Sequence, residues 1–396
     1  MGGLKEAADA LLGQAAGRGD IPGVVAIATG ADGAFYSGAF GVRSLDSGAA
    51  MTTDTVVWIA SLTKAVTGAC AMKLVESGRL DLDAPAGDLI PWLGEAPVLD
   101  GFGADGQPRL RKARTVMTLR HLLTHTAGFG YDFWSADLKR CNAATGQPSI
   151  RTRTVASLQQ PLLFDPGTDW MYGINIEWAG QLVEAVSGMT LGAFARQNLF
   201  EPLGMDSTAF DATPAMKERQ AAMHNRTGSG LAQAAPAAPS GVEPEIEMGG
   251  GGLFSTMEDY ACFVRLFLND GRGPDGGPVL KPETVDMMAR NQMGDHRVKL
   301  LRTTDTAVTL DAEFFPGLEK TWGLTFMINE ADAPTGRPAG SLAWAGLANS
   351  YYWIDRKNGI GGVWTTQLFP FCDEKALPLY LDFEKTVYDH LGAGAA

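Results

Sequence analysis

The chain has 396 residues, 45% hydrophobic and 19% charged, which excludes disordered, collagen-like and coiled-coil classes and allows two structural units with a large core. A formal net charge of −13 and a pI near 4.9 work against a phosphate backbone or an anionic membrane surface as partner. Forty-nine glycines, about 12% against the usual ~7%, imply much turn and loop.

In chain order, the start Met1-Gly2-Gly3-Leu4-Lys5-Glu6 lacks the basic and apolar regions of a signal peptide. No run of ~18 apolar residues follows, so a cytoplasmic protein with no membrane insertion is expected. Residues 23–29, the turn residues 30–33 and residues 34–42 read as a β-hairpin. Residues 61–76 read as one helix with Gly78 beyond its end, and 118–124 as a shorter one. Residues 175–187 form a third, stopped by Gly188. Residues 227–252, poor in large apolar side chains, read as a surface loop. Ser255 with Glu258 three positions on reads as a capping box ahead of the apolar face Tyr260, Phe263, Leu266 and Phe267. Residues 351–355 and 360–367 flank Lys357-Asn358-Gly359, an Asn-Gly turn with positive φ, as a second hairpin, and 373–391 as a closing helix.

Strands at both ends and helices between them predict an α/β protein of the α+β type. The expected divisions are residues 1–80 with 300–396 as an antiparallel sheet domain and 81–299 as a mostly helical insertion, with the site at their junction. Cys70, Cys141, Cys262 and Cys372 are far apart with no C-x-x-C pattern, and read as small buried hydrophobes in a reducing compartment.

Ser61-Leu62-Thr63-Lys64 opens the first long helix after a mostly apolar stretch. A Ser and a Lys three apart lie on one helix face within a side chain's reach. A lysine in apolar surroundings has a depressed pKa, so its neutral amine takes the hydroxyl proton and makes Ser61 a nucleophile. The helix start adds N–H groups for an oxyanion. By itself the motif also fits an N-cap followed by a solvated lysine.

Its companions decide between the two. With Ser61-Leu62-Thr63-Lys64 come residues 74–83, residues 118–129 containing His121-Leu122-Leu123-Thr124-His125-Thr126-Ala127-Gly128-Phe129, then Asp165-Pro166-Gly167, Tyr172, Leu203-Gly204-Met205, residues 250–256 and Trp344-Ala345-Gly346. The whole resembles the serine β-lactamase and penicillin-recognising superfamily, in the branch of class C β-lactamases, D-alanyl-D-alanine peptidases and family VIII carboxylesterases. The resemblance implies the β-lactamase-like fold. It also implies that Tyr172 serves as general base and acid, that Trp344, Ala345 and Gly346 line the site, and that the amides of Ser61 and Leu347 form the oxyanion hole.

Two departures point the same way. Tyr172-Gly173-Ile174 supplies the tyrosine of Tyr-x-Asn without its asparagine, Asn175 falling one residue late, and Trp344 replaces the lysine of Lys-Thr-Gly. Tryptophan forms no ion pair with a carboxylate, so uncharged acyl esters are favoured over anionic β-lactams. Phe129, Tyr131, Phe133 and Trp134 form an aromatic cluster with two open readings, the wall of an acyl or alcohol pocket or the packing of the helical region.

No G-x-S-x-G occurs, which removes an α/β-hydrolase nucleophile. His121 and His125 have i, i+4 spacing without the zinc-protease Glu, and read as a structural pair with no metal implied. Arg109, Arg111, Lys112 and Arg114 read as a solvated face, and residues 249–252 as a flexible site edge. The expected protein is a serine carboxylesterase hydrolysing neutral short-chain acyl esters, its partner a small-molecule ester, through an acyl-enzyme on Ser61 with no cofactor. A β-lactamase, a D-amino-acid amidase or peptidase, an acyltransferase with the same acyl-enzyme, and a non-catalytic ligand-binding homologue are the alternatives.

Overall fold

The structure is a computed structural model that describes residues 2–235 and 241–392. Its central sheet contains β1 (Gly23–Gly30), β2 (Ala34–Gly41), β3 (Lys320–Trp322), β4 (Met327–Asn329), β5 (Leu342–Gly346), β6 (Ser350–Asp355) and β7 (Ile360–Thr365). They lie in the order β2-β1-β7-β6-β5-β4-β3, every neighbouring pair antiparallel. The register from Val25↔Thr365 to Gly30↔Ile360 joins the first hairpin to the last, so both chain ends build one sheet.

Six helices frame the site and sheet: α1 (Gly2–Gly17), α2 (Thr63–Glu76), α3 (Leu119–Leu123), α4 (Asn175–Ser187), α5 (Met257–Leu268) and α6 (Ala376–Gly392). Helices α1 and α6 pack together on one side, and α5 lies on β1 and β7 on the other. The pleat sorts the aromatic run of β6 between them. Tyr351 stacks on Tyr380 of α6 at 4.5 Å, whereas Tyr352 meets Tyr260 of α5 at 5.3 Å. With both faces covered, β5, β6 and β7 are buried throughout. No helix among the described residues is long and apolar enough to cross a membrane.

Several elements differ from expectation. Helix α1 was readable from Leu4, Ala8, Leu12 and Ala15, all buried at helical spacing, although Met1 itself lies outside the described residues. Helix α2 starts at Thr63, behind a short 3₁₀ turn Ala60–Leu62. The cap of α5 is Thr256, whose hydroxyl accepts the Asp259 N–H at 3.1 Å, because Ser255 is held in a short strand paired to Val57–Trp58. The last hairpin closes over four residues between Asp355 and Ile360, and only Gly359 takes positive φ, since Asp355 accepts from Asn358 and holds it otherwise. The expected surface loop 227–252 begins at the turn of a hairpin, whose strands are His224–Thr227 and Gly230–Gln233, and its far end, Ile246 and residues 249–250, is buried; residues 236–240 of it lie outside the described residues.

Candidate active site

Ser61 sits on a sharp turn. The strand Val57–Trp58 runs into Ala60, which adopts φ 47°, and the 3₁₀ turn then feeds α2. A non-glycine residue in that region costs of order 1–3 kcal/mol and persists only where its surroundings hold it. Here Thr63 Oγ1 donates to the Ala60 carbonyl at 2.6 Å and accepts from Leu253 N at 3.2 Å, while the Tyr260 hydroxyl donates to the Leu62 carbonyl at 2.9 Å. The turn leaves Ser61 partly exposed while Lys64, one helical turn on, is fully buried.

Lys64 Nζ lies 3.1 Å from Ser61 Oγ, 3.1 Å from the Tyr131 hydroxyl and 2.6 Å from the Gly250 carbonyl. Burial pulls its ammonium down from the ordinary value to about 7, opposed by the carboxylate of Glu177. Glu177 is itself buried and pushed up by burial, with Lys64 opposing. One of its oxygens accepts the Gly250 N–H at 2.9 Å, and the other has no hydrogen-bond partner. Residues 249–250 are therefore not a flexible edge. A Cβ on Gly250 would sit 2.4 Å from Glu177 Oε1 and 3.3 Å from Lys64 Nζ, so only glycine lets this peptide pass between the two charges.

Tyr172 closes the other side of Ser61. Its hydroxyl shares a hydrogen bond with the Ser61 side chain and accepts from Trp344 Nε1 at 2.9 Å. Burial raises the phenol's pKa, so Tyr172 is protonated near neutrality, in contrast to the lowered amine of Lys64. The indole N–H only donates, so Trp344 donates to the Tyr172 oxygen and holds that hydroxyl beside Ser61.

Behind Tyr172, buried His125 accepts at Nδ1 from Asn175 Nδ2 at 2.9 Å and from Gly173 N at 3.4 Å. Asn175 also donates to the carbonyls of Phe129 and Met171, so it braces the tyrosine's loop from inside the core and does not line the site. Burial, then Lys64, pushes His125 well below its ordinary value, leaving it a neutral wedge.

Gly346 lets β5 approach the turn around Ser61: a Cβ there would sit 2.4 Å from the Ile59 carbonyl and 3.1 Å from Leu62 Cδ1. The close approach places the end of β5 against the turn that carries Ser61, with Leu347 the next residue. Ala345 pairs with Tyr351 and therefore faces α6, away from Ser61, contributing backbone alone.

The aromatic cluster divides. Phe129 stacks on Trp92 at 6.0 Å and lies 6.3 Å from Trp178, inside the helical core and not in a substrate wall. Tyr131, Phe133 and Trp134 turn toward the site, Tyr131 and Trp134 lying 5.8 and 5.5 Å from Tyr172 and Phe133 stacking on Tyr131 at 4.8 Å. The basic run is not wholly solvated either, because Arg111 holds Asp165 through two bonds of 2.8 and 2.9 Å and pins the Asp165-Pro166-Gly167 turn. Sequence reasoning missed Glu177 and the lysine contact of Tyr131. The one available signal for Glu177 was a carboxylate in the first turn of a helix whose neighbours Ile176, Trp178 and Ala179 are all apolar.

The sheet, the turn-borne serine and the lysine beneath it are those of serine enzymes that work through a covalent acyl intermediate. The β-lactamase family model matches residues 8–385, and the chain belongs to that family. Monacolin J acid methylbutanoyltransferase of Aspergillus terreus is 31% identical over 388 residues, covering 93% of this chain and 92% of its own. Lovastatin esterase of Penicillium rubens is 32% identical over 386 residues, covering 93% and 95%. The solved structure of unliganded simvastatin synthase from Aspergillus terreus superposes with a TM-score of 0.83 at 29% identity, covering 98% of both chains.

Proposed function

We propose that this protein takes the acyl group of an uncharged carboxylic ester onto Ser61 and passes it to water or to an alcohol. The observation that carries this reading is the hydrogen bond from Trp344 to Tyr172, which puts an indole where a carboxylate-binding lysine would stand and spends its one donor on the catalytic tyrosine.

As the Ser61 oxygen attacks the ester carbonyl, its proton moves to the Lys64 amine. The oxyanion is held by the amides of Ser61 and Leu347. Collapse of the tetrahedral intermediate breaks the bond to the alcohol, which leaves with the proton that Lys64 took from Ser61, while the Tyr172 hydroxyl beside Ser61 orients the leaving oxygen. Water or a second alcohol then attacks the acyl-enzyme by the reverse route and frees Ser61.

Transfer to an alcohol deserves equal weight with hydrolysis, because a methylbutanoyltransferase and an esterase are about equally similar to this chain. The ring surfaces of Tyr131, Phe133 and Trp134 beside Tyr172 also suit an apolar group that displaces water. The test is turnover of nitrophenyl esters of graded acyl length, with and without an alcohol acceptor, beside a chromogenic cephalosporin and Ser61→Ala. Ester turnover that survives Ser61→Ala, or turnover of the cephalosporin alone, overturns the proposal; the ratio of transferred to hydrolysed acyl group sets the acceptor.

A further inference from the structure

We infer that Glu177 is a positioning residue for catalysis, a buried anion that holds the Lys64 amine at the serine and favours its taking the Ser61 proton. The inference rests on the acyl-enzyme reading above. Its ground is a fixed geometry between groups 186 residues apart in sequence: the Gly250 peptide donates its N–H to Glu177 Oε2 at 2.9 Å and offers its carbonyl to Lys64 Nζ at 2.6 Å. Both side chains are fully buried, and Glu177 Oε1 has no hydrogen-bond partner, which is costly for a carboxylate unless a cation lies nearby. A purely structural brace for Gly250 needs one acceptor and no charge.

The other titratable groups around the pair are neutral in the working range. Tyr131, from the turn before residue 132, and Tyr172, before α4, are phenols raised by burial. His125, after α3, is lowered by burial. Residues 249–253 and the short helix Leu191–Ala195, which also pack on α2 and α4, carry no titratable side chain. The ionisation that gates Ser61 therefore belongs to the Lys64–Glu177 pair.

When Ser61 loses its proton, Lys64 becomes an ammonium and the net charge of the pair rises by one. The Glu177 carboxylate stabilises that ammonium, so the amine is both a stronger base and a better oriented one. Removing the negative charge lowers the lysine's pKa, which moves the acid limb of Ser61 acylation to lower pH and weakens the base on the plateau.

The experiment follows the burst of nitrophenol from a short-chain nitrophenyl ester against pH, in the wild type, Glu177→Gln and Glu177→Asp. The burst reports acylation alone and is independent of whether water or alcohol takes the acyl group. Glu177→Gln keeps a carbonyl for the Gly250 N–H, and is expected to shift the acid limb down by about one unit and to slow plateau acylation about tenfold. Glu177→Asp retains the charge farther from Lys64 and is expected to lie between; it carries the test if the Gln variant does not fold. An acid limb unmoved in either folded variant overturns the inference. A burst that persists in Ser61→Ala overturns the acyl-enzyme reading instead.

Discussion

The two sides of Ser61 are built on different principles. On the lysine side the groups behind Ser61 are buried and tied together: Lys64 to Ser61, Tyr131 and Gly250, and Gly250 to Glu177, whose second oxygen has no hydrogen-bond partner. On the strand side Gly346 brings β5 against the turn that carries Ser61, and the partly exposed Leu347 follows buried Trp344 along the same strand end. The first side fixes how a proton moves and tolerates little change. The second is the side that, in the proposed function, meets the ester and the acceptor.

The sharpest way to break this contrast lies on the lysine side. Ser61→Ala, or Lys64→Met with its similar bulk and no amine, is expected to reduce ester turnover by about 10⁴-fold or more, measured as kcat/KM on a nitrophenyl ester. Leu347→Pro removes one N–H from the proposed oxyanion hole and is expected to lower kcat by about 10²–10³-fold with KM little changed. Trp344→Phe keeps an apolar ring but frees the Tyr172 hydroxyl to rotate, an expected loss of about tenfold in kcat. If Trp344→Phe is as damaging as Ser61→Ala, the strand side is part of the proton machinery and the contrast fails.

A fourth prediction sharpens the contrast within one stretch of sequence. Phe129→Ala opens a cavity beside the stacked pair Trp92 and Trp178 and should cost about 3–5 kcal/mol of stability, read by denaturant unfolding, without changing acyl preference among the molecules that remain folded. Phe133→Ala, at the half-exposed rim, should leave stability within about 1 kcal/mol and shift the balance between long and short acyl chains. The two residues stand four apart and looked alike in the sequence.

That pair shows where sequence reading stops. The hairpins at both ends, the helix 175–187 and its Gly188 stop were legible because hydrophobic period and turn chemistry act over a few residues. The capping of α5 was misplaced by one residue because Ser255 was already engaged by a strand from elsewhere in the chain. Asn175 looked like a displaced ligand-binding asparagine, yet the turn after Tyr172 swings its amide inward onto His125. An amphipathic pattern tells which side of an element is buried but not which partner it meets there.

By itself the sequence pointed to the candidate chemistry: a serine and a lysine three apart share a helix face, the motifs that accompany them along the chain carry the family resemblance, and a tryptophan in the third motif excludes an ion pair. Only the tertiary structure decided the electrostatics of that chemistry. Glu177, Tyr131 and Gly250 converge on Lys64 from three distant segments, and their effect depends on burial and separations of a few ångströms. Proximity of that kind is set when the sheet from the two chain ends closes over the helical region, and no local pattern encodes it.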